Sequence, residues 1–194
     1  MELLESTIKR DKSFLNRYSF NDKQLVKDVV EEIKDKLIDR PKIIVYGKEC
    51  RQNRSVGFFS DTSIGYYYSR QLAKSIPLTP GLNTLLTKIN NLFNSNFNGI
   101  LVNYYKDGNN NIGAHSDDES NLDPLGVVAL SYGGVRKFRI RDKATHKIVK
   151  DIPTNSYEII HMGGDFQKQF KHEIPTEKKI KEYRYSFTFR KHLK

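Results

Sequence analysis

Tryptophan is absent from this 194-residue chain, methionine occurs twice and cysteine once. The lone Cys50 has no partner for an internal bridge, so neither a disulfide framework nor a multi-cysteine metal cluster can hold the fold together. No apolar run approaches the ~18 residues of a membrane-spanning helix, and no apolar stretch near the start has the make-up of a secretion signal. A soluble, intracellular protein that does not engage membranes is therefore expected. With only 6 Pro and 12 Gly, and with neither an internal repeat nor a low-complexity linker, the chain reads as one ordinary domain. Its length suffices to bury a core without covalent staples. Acidic residues are the minority: 33 Lys and Arg against 23 Asp and Glu give a formal charge of +10. That excess favours a polyanionic partner through steering and counterion release.

Residues 1–20 are polar and aperiodic and are expected to form an N-terminal extension that is mobile or loosely docked, with a single domain over residues 21–194. Leu25, Val29, Ile33 and Leu37 recur every four residues beside Val26 and Val30, which predicts a core-packing helix capped by Asn21 or Asp22 and closed before Pro41. A second helix is predicted from Pro80, with Thr79 as its cap, through Leu82, Leu85, Leu86, Ile89, Leu92 and Phe93. Strand character marks residues 43–46, 65–68, 100–105, 127–132, 135–141, 157–161 and 183–189. Two helices ahead of many short strands point to an α+β chain with helices outside a sandwich or jelly roll, a single-chain fold for which a monomer is expected.

Chemistry concentrates at His115-Ser116-Asp117. On an extended segment, residues two apart share a face, so His115 and Asp117 can offer two ligands from one stretch of backbone. Alone, such a triplet is common in solvated loops. Four further histidines compete for a third position. His146 lies in a lysine-rich, turn-like stretch, His192 is beside the terminus, and His161 ends an apolar strand and reads as a packed histidine. His172 is preferred for its context, just ahead of Ile174-Pro175 and upstream of Arg184. Two imidazoles and one carboxylate occupy one face of an octahedral Fe(II) and leave three positions open.

The run 184–190 alternates, placing Arg184, Ser186, Thr188 and Arg190 on one face and Tyr185, Phe187 and Phe189 on the other. Directed into a barrel, the two guanidiniums can fork onto the carboxylates of a small diacid. Directed at water, they are the outer face of an ordinary amphipathic strand.

Taken together, Asn103 to Gly108, Ile112 to Glu119, Phe170 to His172 and Arg184 to Arg190 resemble the ordered signature of the AlkB family of Fe(II)- and 2-oxoglutarate-dependent dioxygenases. The resemblance spans roughly residues 41–192 and includes Arg54 to Asp61 followed by Tyr66 to Ser69. It implies a double-stranded β-helix core with N-terminal helices packed outside and a nucleotide-recognition lid over about residues 41–75. His115, Asp117 and His172 would ligate Fe(II), Arg184 and Tyr105 would hold the distal carboxylate of 2-oxoglutarate, and Arg190 with Asn103 would sit near its keto-acid end. Ser186 stands where the family more often has Asn. The implied reaction consumes O2 and 2-oxoglutarate, releases succinate and CO2, and removes a methyl group from a base nitrogen as formaldehyde.

Such a base must leave its stack. Tyr66 and Tyr68 match positions flanking the extruded base, Glu119 matches an acidic position at its polar edge, and Tyr46 lies in a hairpin resembling one that wedges into duplex DNA. A cationic N1-methyladenine or N3-methylcytosine suits an acidic, aromatic pocket. Lys42, Lys48, Arg51, Arg54 and Arg70 would supply phosphate contacts around the lid. The expected partner is alkylated DNA, with RNA open. An oxygenase acting on RNA modification or on protein, or a non-catalytic nucleic-acid-binding module, remain as alternatives.

Overall fold

The computed structural model describes residues 1–45, 47–63, 65–68, 71–117 and 125–191; the side chains at 45, 66–68 and 71–73 lie outside the description. In chain order the elements are β1 (Glu2–Arg10), β2 (Ser13–Ser19), α1 (Lys23–Ile33), β3 (Lys42–Val45), β4 (Lys48–Arg51), β5 (Ser55–Phe59), β6 (Gly65–Tyr68), β7 (Gln71–Lys74), α2 (Pro80–Phe93), β8 (Gly99–Tyr105) and β9 (Ile112–His115). They continue with β10 (Val127–Gly133), β11 (Lys137–Asp142), β12 (Ile148–Pro153), β13 (Glu158–Gly163), α3 (Phe166–Gln169), β14 (Phe170–Ile174) and β15 (Arg184–Arg190).

A seven-stranded sheet of order β1-β2-β13-β10-β15-β8-β5 faces a four-stranded sheet of order β12-β11-β14-β9, a jelly-roll arrangement. Between them lie Tyr105, Val127, Ile160 and Met162 from the larger sheet and Phe138, Ile140, Phe170 and Ile174 from the smaller. β15, between β10 and β8, sorts its residues as the alternation predicts: Tyr185, Phe187 and Phe189 turn to the helices, while Arg184, Ser186, Thr188 and Arg190 turn to the inter-sheet space. Helices α1 and α2 cover the other face of the large sheet through Val26, Val29, Ile33, Leu82, Leu85 and Ile89. Asp22 caps α1 by accepting from Leu25 N at 3.2 Å, and Thr79 caps α2 by accepting from Leu82 N at 3.2 Å. Among the described residues, no helix is long and apolar enough to cross a membrane.

Three expectations are corrected here. The polar N-terminal stretch is no loose arm: β2 pairs with β13 from Glu158↔Ser19 to Gly163↔Phe14, and Leu15 is buried. Register shifts in β1, between Leu3 and Glu5 and between Ser6 and Ile8, break the period-2 pattern that would have announced a strand. Ion pairs tie the hairpin down, with Arg17 bridging Glu5 and Glu158 at 3.0 and 2.5 Å. Secondly, α1 ends at Ile33, so Leu37 reaches the core from a turn, against Gly57. Finally, residues 41–75 are not all lid, because β5 is the edge strand of the large sheet and only the hairpins β3–β4 and β6–β7 stand apart from it.

Candidate metal and co-substrate site

β9 and β14 are antiparallel neighbours, and their register sets His172 directly opposite His115, with ring centroids 4.4 Å apart. Asp117 follows two residues later, and one ligand atom from each of the three lies within 4.8 Å of the others. Among the described residues this is the one such cluster of His, Cys, Asp or Glu. His115 Nδ1 lies 2.8 Å from Gly113 O. A carbonyl only accepts, so that nitrogen carries the proton and leaves the lone pair on Nε2, the atom 4.0 Å from Asp117 Oδ1. His172 Nε2 lies 3.5 Å from Asp117 Oδ2, and its ring stacks on Phe138 at 5.1 Å.

Burial lowers the pKa of both imidazoles, that of His172 to about 3 with help from repulsion by His115, so both are neutral near pH 7. Burial alone would raise the Asp117 carboxyl; Arg190, His172 and His115 outweigh it and hold the group well below the usual carboxylate range. Two neutral imidazoles and a carboxylate, gathered within 4.8 Å in the wall of the inter-sheet cavity, are a donor set that would fit a divalent Fe.

The same cavity is lined by Arg184, Tyr105, Asn103 and Ser186. Register again explains the grouping, since Arg184 pairs with Tyr105 and Ser186 with Asn103 across β15 and β8. Arg184 is 3% exposed and donates from Nη2 to Ser131 Oγ at 2.9 Å. Its Nε and Nη1 are buried with no acceptor in good hydrogen-bonding geometry, the Tyr105 side chain being a further polar neighbour, and the guanidinium lies 5.4 Å over the Tyr105 ring. Burial pulls its pKa down to about 10, which leaves it a cation at neutral pH. A buried cation with two unanswered donors fits a carboxylate fork. Arg190 donates from Nη2 to Asp117 Oδ1 at 3.0 Å, joining the anion site to the metal cluster.

The remaining predicted residues are scattered in outcome. Arg54 is not a surface phosphate contact: it is 4% exposed, lines the cavity and donates from Nε to Asn103 Oδ1 at 2.6 Å. It lies just ahead of β5, at the edge of the large sheet, with its side chain in the cavity wall. Lys42, Lys48 and Arg51 are carried by the hairpin β3–β4, all three exposed. Tyr46, Arg70 and Glu119 lie outside the described residues; Tyr66 and Tyr68 are on β6, their side chains outside the description. His161 is the packed histidine expected, donating from Nε2 to Leu125 O at 2.7 Å and edge-on to Phe14 and Phe93.

Two participants carried no signal in the sequence. Ser131 orients Arg184 from the neighbouring strand. Arg136, 1% exposed, donates to Asp107 O and Asn110 O before β9 and to Pro175 O after β14, at 3.0, 2.9 and 2.7 Å, and so ties together the ends of the two histidine strands. Only partners far away in sequence make either residue notable.

Comparison with known proteins agrees with this geometry. Human DNA oxidative demethylase ALKBH2 is 29% identical over 160 residues, covering 78% of this chain and 61% of that protein. Rat alpha-ketoglutarate-dependent dioxygenase alkB homolog 3 is 33% identical over 135 residues, covering 64% of this chain and 46% of that protein. The chain thus spans between 46% and 61% of the length of these two curated relatives. Among solved structures, OsALKBH1 superposes with a TM-score of 0.60 at 15% identity over 95% of this chain and 100% of that one. A Pseudomonas putida prolyl-4-hydroxylase gives 0.56 at 14% identity, over 92% and 93% of the two chains. At such identities the structural likeness concerns the fold. The family model described as the 2OG-Fe(II) oxygenase superfamily matches residues 14–190, so the chain belongs to that superfamily.

Proposed function

We propose that this protein is an Fe(II)- and 2-oxoglutarate-dependent dioxygenase that demethylates alkylated nucleobases of the N1-methyladenine or N3-methylcytosine type in DNA. The observation that carries the co-substrate half is Arg184, whose two buried, unanswered donors open onto the cavity that holds the His115, Asp117 and His172 cluster. In this reading the three ligands hold Fe(II), which supplies, with O2 and 2-oxoglutarate, the oxidation of the methyl C–H. Arg184 and Tyr105 receive the distal carboxylate. Asn103, steadied by Arg54, and Arg190 flank the keto-acid end. Ser186 and Thr188, on the same face of β15, complete the polar wall.

The nucleic-acid half is supported by the relatives named DNA oxidative demethylase and by the excess of cationic residues. Tyr66, Tyr68 and Glu119 are proposed to receive the extruded base, and Tyr46 to fill the space it leaves; hairpins β3–β4 and β6–β7 form the lid. Mass spectrometry on N1-methyladenine and N3-methylcytosine oligonucleotides, single- and double-stranded, DNA and RNA, tests this. A mass decrease of ~14 Da per lesion, a methyl replaced by hydrogen, matched by succinate, is the expected result in DNA. Succinate formation with every lesion intact would reject the nucleobase substrate.

A further inference from the structure

Asp117 is restrained from behind as well as from within the cavity. Its backbone N–H donates to Gln167 Oε1 at 2.9 Å in a buried contact, and Ser116 Oγ donates to Phe170 O at 2.9 Å. Gln167 is 8% exposed and sits in α3, with its amide nitrogen 3.7 Å from Met162 Sδ. Only an acceptor can answer the Asp117 N–H, which fixes the carboxamide oxygen as the atom facing it.

The N-terminal hairpin braces α3. Gln169 Oε1 accepts from Ser13 Oγ at 2.8 Å and from Arg10 Nε at 3.1 Å, and Gln169 Nε2 donates to Asp11 Oδ2 at 3.2 Å. Arg10 also lies 4.4 Å over the Phe170 ring. At Gly164, with φ +61°, a Cβ would sit 1.7 Å from Lys12 O, so hairpin and corner meet backbone to backbone.

We propose that Gln167 is a positioning residue for the metal site: its carboxamide, braced through α3 by the N-terminal hairpin, holds the ligand segment so that the Asp117 carboxylate stays between the two imidazoles. The restraint matters because Arg190 Nη2, at 3.0 Å, is closer to that carboxylate than His172 at 3.5 Å or His115 at 4.0 Å. Without a fixed backbone, the strongest local attraction draws the carboxylate toward the guanidinium and away from the point the histidines share. An unanswered, buried Asp117 N–H adds to the displacement, since the segment must move to find a partner. This inference rests on the assignment of His115, Asp117 and His172 as the metal site.

The test is Co(II) titration of the full chain by its visible absorption, with melting of the metal-free protein measured alongside. Gln167→Met keeps length and bulk but puts a thioether, too weak an acceptor to answer the N–H, in place of the carboxamide oxygen; it should raise the Co(II) dissociation constant by roughly 10–100-fold, as removal of partners behind metal ligands does. Gln167→Glu, which retains an acceptor oxygen, should recover most of that affinity. Leu85→Ala, in the helix-side core, should lower the melting temperature and leave Co(II) affinity at the wild-type value. If Gln167→Met does not fold, Gln167→Asn withdraws the acceptor by shortening the arm and replaces it. Wild-type affinity in the acceptor-less variant, no recovery in Gln167→Glu, or an equally weakened Leu85→Ala would overturn the proposal. His172→Ala separates the two ideas: if it too binds Co(II) normally, the metal-site assignment itself is wrong.

Discussion

The cavity between the sheets and the hairpins between α1 and α2 obey different rules. In the cavity the polar groups are placed by strand register: Arg184 faces Tyr105, Ser186 faces Asn103, and His172 faces His115. On β15 the opposite face packs apolar side chains, so a one-residue slip would send the whole set to the wrong side. Hairpin β3–β4 has no such constraint, with Ile44, Lys48, Glu49 and Arg51 all exposed. The chemistry-bearing side chains therefore sit where packing dictates identity, whereas hairpin β3–β4, to which the proposed function gives phosphate contacts, lies where packing does not.

Breaking the cavity should have the largest effects. His172→Ala removes a ligand donor and should abolish succinate formation while β14 keeps its pairing with β11, read as abolished turnover with retained circular dichroism. Arg184→Ala should keep metal content and raise the dissociation constant for 2-oxoglutarate; removing two charge-assisted hydrogen bonds, about 2–4 kcal/mol, corresponds to roughly 30–1,000-fold. Arg184→Lys should recover little of this, because an ammonium cannot fork. Release of metal in Arg184→Ala would instead make Arg184 a structural residue.

A smaller effect should come from the corner that supports the cavity. Gly164→Ala, at φ +61° and against Lys12 O, should cost about 2–4 kcal/mol and lower the melting temperature accordingly. An unchanged melting temperature would mean that the hairpin is not pressed onto that corner.

Acid should sharpen the comparison too. His172 titrates near 3 when folded and near 6.5 when unfolded, so between those values the unfolded chain binds the proton that the folded metal-free chain refuses. Stability of the metal-free protein should fall as pH drops from about 6.5 toward 3, and His172→Leu should flatten that slope. Substitution in the hairpin should have the mildest consequence. Lys42→Ala with Lys48→Ala should weaken nucleic-acid binding and reduce its salt slope by about 1 for each phosphate no longer neutralised, with 2-oxoglutarate affinity unchanged.

The same contrast governs what could be read from the residues alone. Alternation from Arg184 to Arg190 and the extended His115-x-Asp117 triplet are short-range patterns, and the structure folds them as they read. Choosing His172 over His161 also held in geometry: His161 is enclosed by Phe14 and Phe93, whereas His172 joins the cluster. Strands β1 and β2 were illegible because bulges and cross-strand ion pairs such as Arg17 with Glu158 replace apolar alternation. Gln167, Ser131 and Arg136 act through partners between 26 and 53 residues away, which no local pattern encodes. Arg54 was misplaced for the opposite reason: in sequence it stands among cations, and only the pairing of β5 with β8 turns it inward.

The most direct measurement is the visible spectrum of the anaerobic protein with Fe(II) as 2-oxoglutarate is added. A weak charge-transfer band that saturates with 2-oxoglutarate, needs far more of it in Arg184→Ala and is absent in His172→Ala is the result this structure predicts. A band that persists in His172→Ala, or that saturates at the same 2-oxoglutarate concentration in Arg184→Ala, would contradict the shared metal and co-substrate site.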